Sequence, residues 1–291
     1  MLKQATNEVK IEGILSEVNI HEDVSKKTNK AYIGGEVIVR VPLDDTTLEV
    51  PIRVYANQLT NAGQPNPAYD NIKKILDMKS IAACDGDVSQ ADLIQFTRAT
   101  IRANDFYGRG GNFVSYPTVN SSFSRKVNPS DFHPCATFDN IIVVGNMKEE
   151  EDANGDLTGR LVITGILPQY GGKVDKIEYV VENPNAIKHI SSHWQKGDTV
   201  RVCGNVNFTY TQVSEIVEMG FGEPEVKMHT KQVHDLVITK GSGNGFDADS
   251  AYDVDEIAQA LQERQARLAE MKANADTPAQ AEKTKKTDFG F

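Results

Sequence analysis

A chain of 291 residues with 39% hydrophobic content is long enough for two ordinary cores and leaves a remainder that does not pack. No apolar run reaches the roughly 18 residues of a membrane helix, and Met1-Leu2-Lys3-Gln4 opens no apolar leader, so the expectation is a cytoplasmic protein with no membrane partner. The net charge of −10 weighs against phosphate binding by the chain as a whole, and Cys84, Cys135 and Cys203, with no pair at C-x-x-C spacing, indicate neither a disulfide framework nor a cysteine-rich zinc site.

The first elements read as strands. Val9, Ile11, Ile14 and Leu15 begin one, Ile33, Val37, Val39 and Val41 mark a second, and Leu48, Val50, Ile52 and Val54 a third, with the period of two that buries one face of a sheet. A polar hairpin loop is expected at 21–30 and a tight turn at Leu43-Asp44-Asp45-Thr46. After Asn66-Pro67 the period changes: Tyr69, Ile72, Ile75, Leu76 and Lys79 fall three or four apart, which is helical spacing. Asp85-Gly86-Asp87 then turns the chain, and residues 93–103 return to strand character.

The same order recurs in the second half. Strands are expected at 138–147, 161–167 and 176–181, with an acidic hairpin loop at 148–156 around Asn154-Gly155. A helix at 185–194 follows Pro184, Gly197-Asp198 opens a strand alternating at Val200, Val202, Gly204, Val206 and Phe208, and residues 226–240 complete the set. Three strands, a helix, a Gly-Asp turn and further strands, twice over, is the order of the OB-fold. The expected class is therefore all-β: two tandem OB-like five-stranded barrels over residues 1–130 and 131–240, followed at 241–291 by a hinge, a C-terminal helix and a disordered tail. Gly241-Ser242-Gly243-Asn244-Gly245 supplies the hinge. Over 253–275 Asp253 can cap a helix, Glu256 stands at the capping-box position, Glu263 precedes Arg267 by four, and Ile257, Leu261, Leu268 and Met271 form a partial stripe. That stripe needs one partner, either its own barrel or a second copy, so a homo-oligomer stays open. Residues 274–287 are polar and expected to be disordered.

Two segments carry a family likeness. Trp194-Gln195-Lys196-Gly197-Asp198-Thr199-Val200-Arg201-Val202-Cys203-Gly204-Asn205-Val206 resembles the strand that follows the helix in bacterial single-stranded DNA-binding proteins, where a Lys-Gly pair precedes a valine-rich strand with an interior Gly. The ending Asp288-Phe289-Gly290-Phe291 resembles that family's acidic tip closed by Phe. The departures are two barrels instead of one per chain, and one acid at the tip with no Pro before the Phe; a divergent phage or mobile-element protein of this type fits better than the bacterial housekeeping protein. The resemblance implies single-stranded DNA as ligand, a non-catalytic role in DNA replication and recombination, and recruitment of other proteins through Asp288, Phe289 and Phe291.

Between residues 93 and 127 five cations, Arg98, Arg102, Arg109, Arg125 and Lys126, stand against Asp105 alone, interleaved with Phe96, Phe106, Tyr107, Phe113, Tyr116 and Phe123. Single strands are held by a cationic groove and by rings on which bases stack, so this cluster is the first candidate site, with Gly108, Gly110 and Gly111 as a mobile hairpin. The plainer alternative makes Phe96, Phe113 and Phe123 core residues and the arginines a solvated face. In the second half Tyr170, Lys173, Trp194, Lys196 and Tyr210 continue the track, although a lone Trp after a helix also serves packing.

No phosphate-binding G-x-x-x-x-G-K-S/T loop, H-E-x-x-H or G-x-S-x-G run occurs, so no enzyme and no cofactor are expected. His133 with Cys135, and His189 with His193, lack convergent partners for a metal, and Glu149, Glu150, Glu151 and Asp152 read as a solvated tip. Two further readings compete: a structural or adaptor protein using the barrels for protein contacts, and a binder of single-stranded RNA, since stacking ignores the sugar.

Overall fold

The computed structural model describes residues 2–26, 28–108, 111–152, 154–217 and 225–276, with backbone alone at 210–217, 225–231 and 274–276. The protein is all-β with a C-terminal helix. Its strands are β1 (Asn7–Val24), β2 (Ala31–Pro42), β3 (Thr47–Asn57), β4 (Leu93–Tyr107), β5 (Phe113–Asn120), β6 (Phe123–Lys126), β7 (Cys135–Glu151), β8 (Leu157–Pro168), β9 (Val174–Val181), β10 (Thr199–Val217) and β11 (Glu225–Gly241).

Their pairing closes on itself twice. β1 pairs antiparallel with both β2 and β4, β2 with β3, β4 with β5, and β3 meets β5 in parallel at Ile52–Val119 and Arg53–Asn120. In the second half β7 pairs with β8 and β10, β8 with β9, β10 with β11, and β11 meets β9 in parallel at Val237–Val180. The two circuits are fused, because β1 also pairs with β7 from Asn7–Asn140 to Glu12–Cys135, giving one eleven-stranded sheet.

Alternation in the sequence becomes burial. Ile33, Val37, Val39, Val41, Leu48, Val50 and Ile52 are all fully buried and share one apolar cluster with Ile142, Val144, Tyr179, Val200 and Val206 of the other circuit. Each such side chain contributes about 1.5–3 kcal/mol relative to exposure. Gly204 marks a register shift in β10, where a Cβ would lie 1.9 Å from the Val237 carbonyl oxygen; only glycine lets the strands approach so closely.

Each circuit carries one helix between its third and fourth strands, started by the same device. In α1 (Pro67–Ile75) the Asn66 side chain accepts from the Ala68 N–H, and in α2 (Pro184–His193) Asn183 accepts from Asn185 and Ala186, with Pro at the first helical position both times. The third helix, α3 (Val254–Asp276), starts at Asp253, whose carboxylate accepts from the N–H groups of Asp255 and Glu256. It docks on its own chain: Ile257 and Ala260 are buried with Leu2, Val143, Ile166 and Val174.

Three local expectations are corrected. Residues 148–151 belong to β7, since Glu149 pairs with Leu161 and Glu151 with Leu157; the turn is confined to the residues around Asp152, which accepts from Asn154 and Asp156. Likewise β1 continues to Val24, so the loop expected from residue 21 is shorter. The glycine-rich run after β11 is no free hinge: Ser242 exchanges hydrogen bonds with Arg201, its carbonyl accepts from the Trp194 indole, and the Phe246 N–H reaches Thr199. No described helix is long and apolar enough to cross a membrane. The tail residues 277–291 lie outside the described residues.

Candidate nucleic-acid interface

The cations of 93–127 do not form the basic face that their local count implies. Arg102 donates to Asp175 at 2.7 Å, Lys126 pairs with Asp92 at 2.6 Å, and Arg125 donates to the Gln95 side chain at 2.7 Å. Arg102 and Lys126, expected as phosphate contacts, thus stand in ion pairs, with side chains 45% and 63% exposed. Asp175 arrives from β9, where a count along the first half cannot see it. Arg109 lies outside the described residues.

Arg98 is different. The register of β4 on β1 slips between Ala99 and Phe96, and Arg98 takes a left-handed φ of 54°. It projects outward with its guanidinium 5.0 Å from the centre of the Phe123 ring, and among the described residues it has no carboxylate partner. Phe96 is core, 1% exposed.

The expected rings form two pairs on opposite faces of the β4–β5 hairpin. Phe106 meets Tyr116 edge-on at 6.2 Å, while Tyr107 packs against Phe113 at 5.4 Å. The tip is pinned from behind, where Arg264 of α3 donates to Asp105 at 2.5 Å. Tyr116 in turn sits 4.7 Å from His234, whose other side stacks on Phe208 at 4.7 Å. Burial holds the His234 imidazole below its usual range.

In the second half, Tyr170 and Lys173 stand at the β8–β9 turn, with Tyr170 84% exposed, and Lys196 is exposed after α2. None of the three lines the groove described next. Trp194 is a correction: it is 3% exposed, its indole donating to the Ser242 carbonyl, so its faces serve packing and offer no base a platform. The Tyr210 side chain, and Asp288, Phe289 and Phe291, lie outside the described residues.

A second set of rings was missed. His21, Tyr32 and Tyr55 form a row across β1, β2 and β3: the His21 and Tyr32 rings meet edge-on at 6.0 Å, and Tyr32 and Tyr55 lie 5.4 Å apart at 31°. Gly34, paired with Tyr55, leaves room for the ring over the backbone of β2, since a Cβ would sit 3.1 Å from it. Tyr55 is 55% exposed, and its hydroxyl donates to Asn57 at 2.9 Å. The signal was readable: in β3 the buried phase is Leu48, Val50, Ile52 and Val54, so Glu49, Arg53 and Tyr55 occupy the outward phase.

Beside Tyr55 opens a groove of about 290 Å³, lined by Arg53, Arg98, Asn120, Ser121, Ser122 and Phe123 among others. No carboxylate lines it. Arg53 donates to neutral partners only, Asn104 at 2.7 Å and the Tyr116 hydroxyl at 3.4 Å, although Glu36 stands across from it on β2.

The corresponding face of the second circuit has another character. On β8 and β9 the side chains of that face are Arg160, Thr164, Lys176 and Glu178, with the buried Val162 and Val180 between them and no aromatic ring. Arg160 is held by Asp235 at 2.5 Å, Glu150 at 3.4 Å and Glu182 at 3.5 Å. A cleft of about 680 Å³ separates this face from β5, with Phe113, Glu150, Glu178, Asp235, His234 and Arg264 on its walls. Among the described residues no group of three or more His, Cys, Asp or Glu is placed to hold a metal ion.

A family model described as YorF matches residues 5–274, and the chain belongs to that family. Among solved structures, it is similar to the wild-type single-stranded DNA binding protein from Thermus aquaticus, at 12% identity and a TM-score of 0.48 over 86% of this chain and 98% of that one. A deletion mutant of the same Thermus aquaticus protein matches at 11% identity and a TM-score of 0.48, over 84% of this chain and 97% of that one. No curated protein matches.

Proposed function

We propose that this protein binds single-stranded DNA without strong sequence preference, as a non-enzymatic protein that coats and protects strands during replication or recombination. The observation that carries the reading is the row His21, Tyr32 and Tyr55 leading into a groove with two arginines and no carboxylate. Rings accept any base face and guanidiniums accept the backbone, which is the chemistry of sequence-tolerant strand binding. An adaptor face would use the rings and have no need of uncompensated arginines beside them. Recruitment of replication or recombination proteins by Asp288, Phe289 and Phe291 belongs to the same proposal, as does a preference for DNA over RNA.

The test is a titration of the full chain with oligothymidine, oligouridine and duplex DNA by mobility shift. The expected order places oligothymidine first and duplex last, and Tyr55→Ala is expected to weaken strand binding by about 1–3 kcal/mol, the range for one stacked base. Because Tyr55 is more than half exposed, its removal should leave the thermal unfolding midpoint nearly unchanged. Undiminished binding by Tyr55→Ala would remove this face from the proposal, and tighter oligouridine binding would make RNA the ligand.

A further inference from the structure

The reading of a single-strand face leaves open where the strand's charge is held. We propose that Arg98 and Arg53 together grip a backbone phosphate in the groove beside Tyr55, and that the irregularity in β4 serves to aim Arg98 there. The inference rests on the single-strand reading above and adds to it a particular phosphate site.

Four observations converge. First, Arg98 adopts a φ of 54°, in the left-handed region that a residue with a Cβ seldom enters, at a point where β4 slips register against β1. Regular alternation would have continued the strand without this strain, and local strain of this kind is sustained where the side chain's direction matters. Second, the guanidinium carbon lies over the Phe123 ring, 5.0 Å from its centre, and no hydrogen bond engages its N–H groups among the described residues.

Third, most of the other arginines with a described partner behave otherwise, Arg125 on Gln95 being the exception. Arg102, Lys126, Arg160, Arg201 and Arg264 each meet a carboxylate, whereas Arg98 and Arg53 meet none among the described residues. Fourth, the serine hydroxyls in the groove are engaged: Ser121 donates to the Thr97 and Phe123 carbonyls and Ser122 to the Tyr55 carbonyl. An anion entering there is therefore taken by the two guanidiniums, whose planar forks suit phosphate oxygens. Tyr55 borders the same groove, so a base on its ring and the adjoining phosphate between the arginines form one nucleotide subsite.

The test compares wild type with Arg98→Gly, Arg98→Asn and Arg98→Lys in the full chain, measuring affinity for oligothymidine across salt concentrations and the unfolding midpoint of each. Glycine and asparagine tolerate the left-handed backbone. Both variants are expected to unfold at or above the wild-type temperature yet bind about tenfold more weakly at low salt, as for loss of one charged contact. The slope of log affinity against log salt should shrink by about 0.7, one phosphate's worth for a single strand. Arg98→Lys keeps the charge and should recover most of that slope. If wild type binds oligothymidine and the glycine and asparagine variants show the same slope, the phosphate site is overturned while the single-strand reading stands. If wild type binds no oligothymidine, both fall together.

Discussion

Arg98 and Arg102 lie four positions apart on one strand and have opposite circumstances. Arg102 is paired with Asp175, a residue from the other circuit, while Arg98, at a register slip, forms no ion pair among the described residues and borders both the groove without acids and a second one that holds Glu8 and Asp139. His234 shows the same dependence on long-range placement, since Phe208 and Tyr116 enclose it from different circuits and its Nδ1 is buried without a partner. Its depressed pKa means that the folded state holds fewer protons than the unfolded one as pH falls through the ordinary value of 6.5. The contribution to stability is thus complete above about pH 6.5 and is lost as the solution is acidified toward the folded-state value. Thermal unfolding at pH 7.5 and pH 5.5 should show a fall in midpoint for wild type and a smaller fall for His234→Phe, which keeps a ring between its neighbours. An equal fall in the two proteins would mean that His234 titrates normally and other groups set the slope.

Among the elements, α3 is the one most plainly written in the sequence and least plainly placed by it. Asp253 as cap and Ile257 as a buried position were legible from spacing alone. Its landing site was not, because Arg264 sits within the apolar stripe as a charged residue and its partner Asp105 is far away in sequence, at the tip of the β4–β5 hairpin. The pair is nearly closed to solvent, with side chains 8% and 16% exposed. Removing one partner strands the other charge, which for buried pairs costs about 3–5 kcal/mol. Arg264→Ala is therefore expected to lower the free energy of denaturant unfolding by several kcal/mol, and adding Asp105→Asn should recover part of it. A loss below about 1 kcal/mol would show that the hairpin tip readily finds water when α3 is uncoupled. The strands divide in the same way: alternation located β2, β3 and β10, whereas their full lengths and the extension of β7 to Glu151 depend on pairing that a single strand's sequence does not contain.

For the whole molecule, element order was the informative signal, whereas net charge is silent on where cations and acids fall. The repeat of three strands, a helix and further strands reappears as two five-strand circuits, each helix opened by Asn and Pro. That the two outer faces would differ was not legible, because the rings His21, Tyr32 and Tyr55 sit on three strands that only pairing aligns, and because the second face draws its acids from β7, β9 and β11. A molecule with a net charge of −10 can bind phosphate only where its acids are kept away, and the groove of Arg53 and Arg98 is such a place. The most direct measurement is photo-crosslinking of halogenated oligothymidine to the full chain, followed by mass spectrometry of the joined peptides. Crosslinks are expected on the peptides carrying Tyr32, Tyr55 and Phe123. Crosslinks confined to the β8–β9 face, or to residues outside the first circuit altogether, would contradict the assignment of the strand to that face.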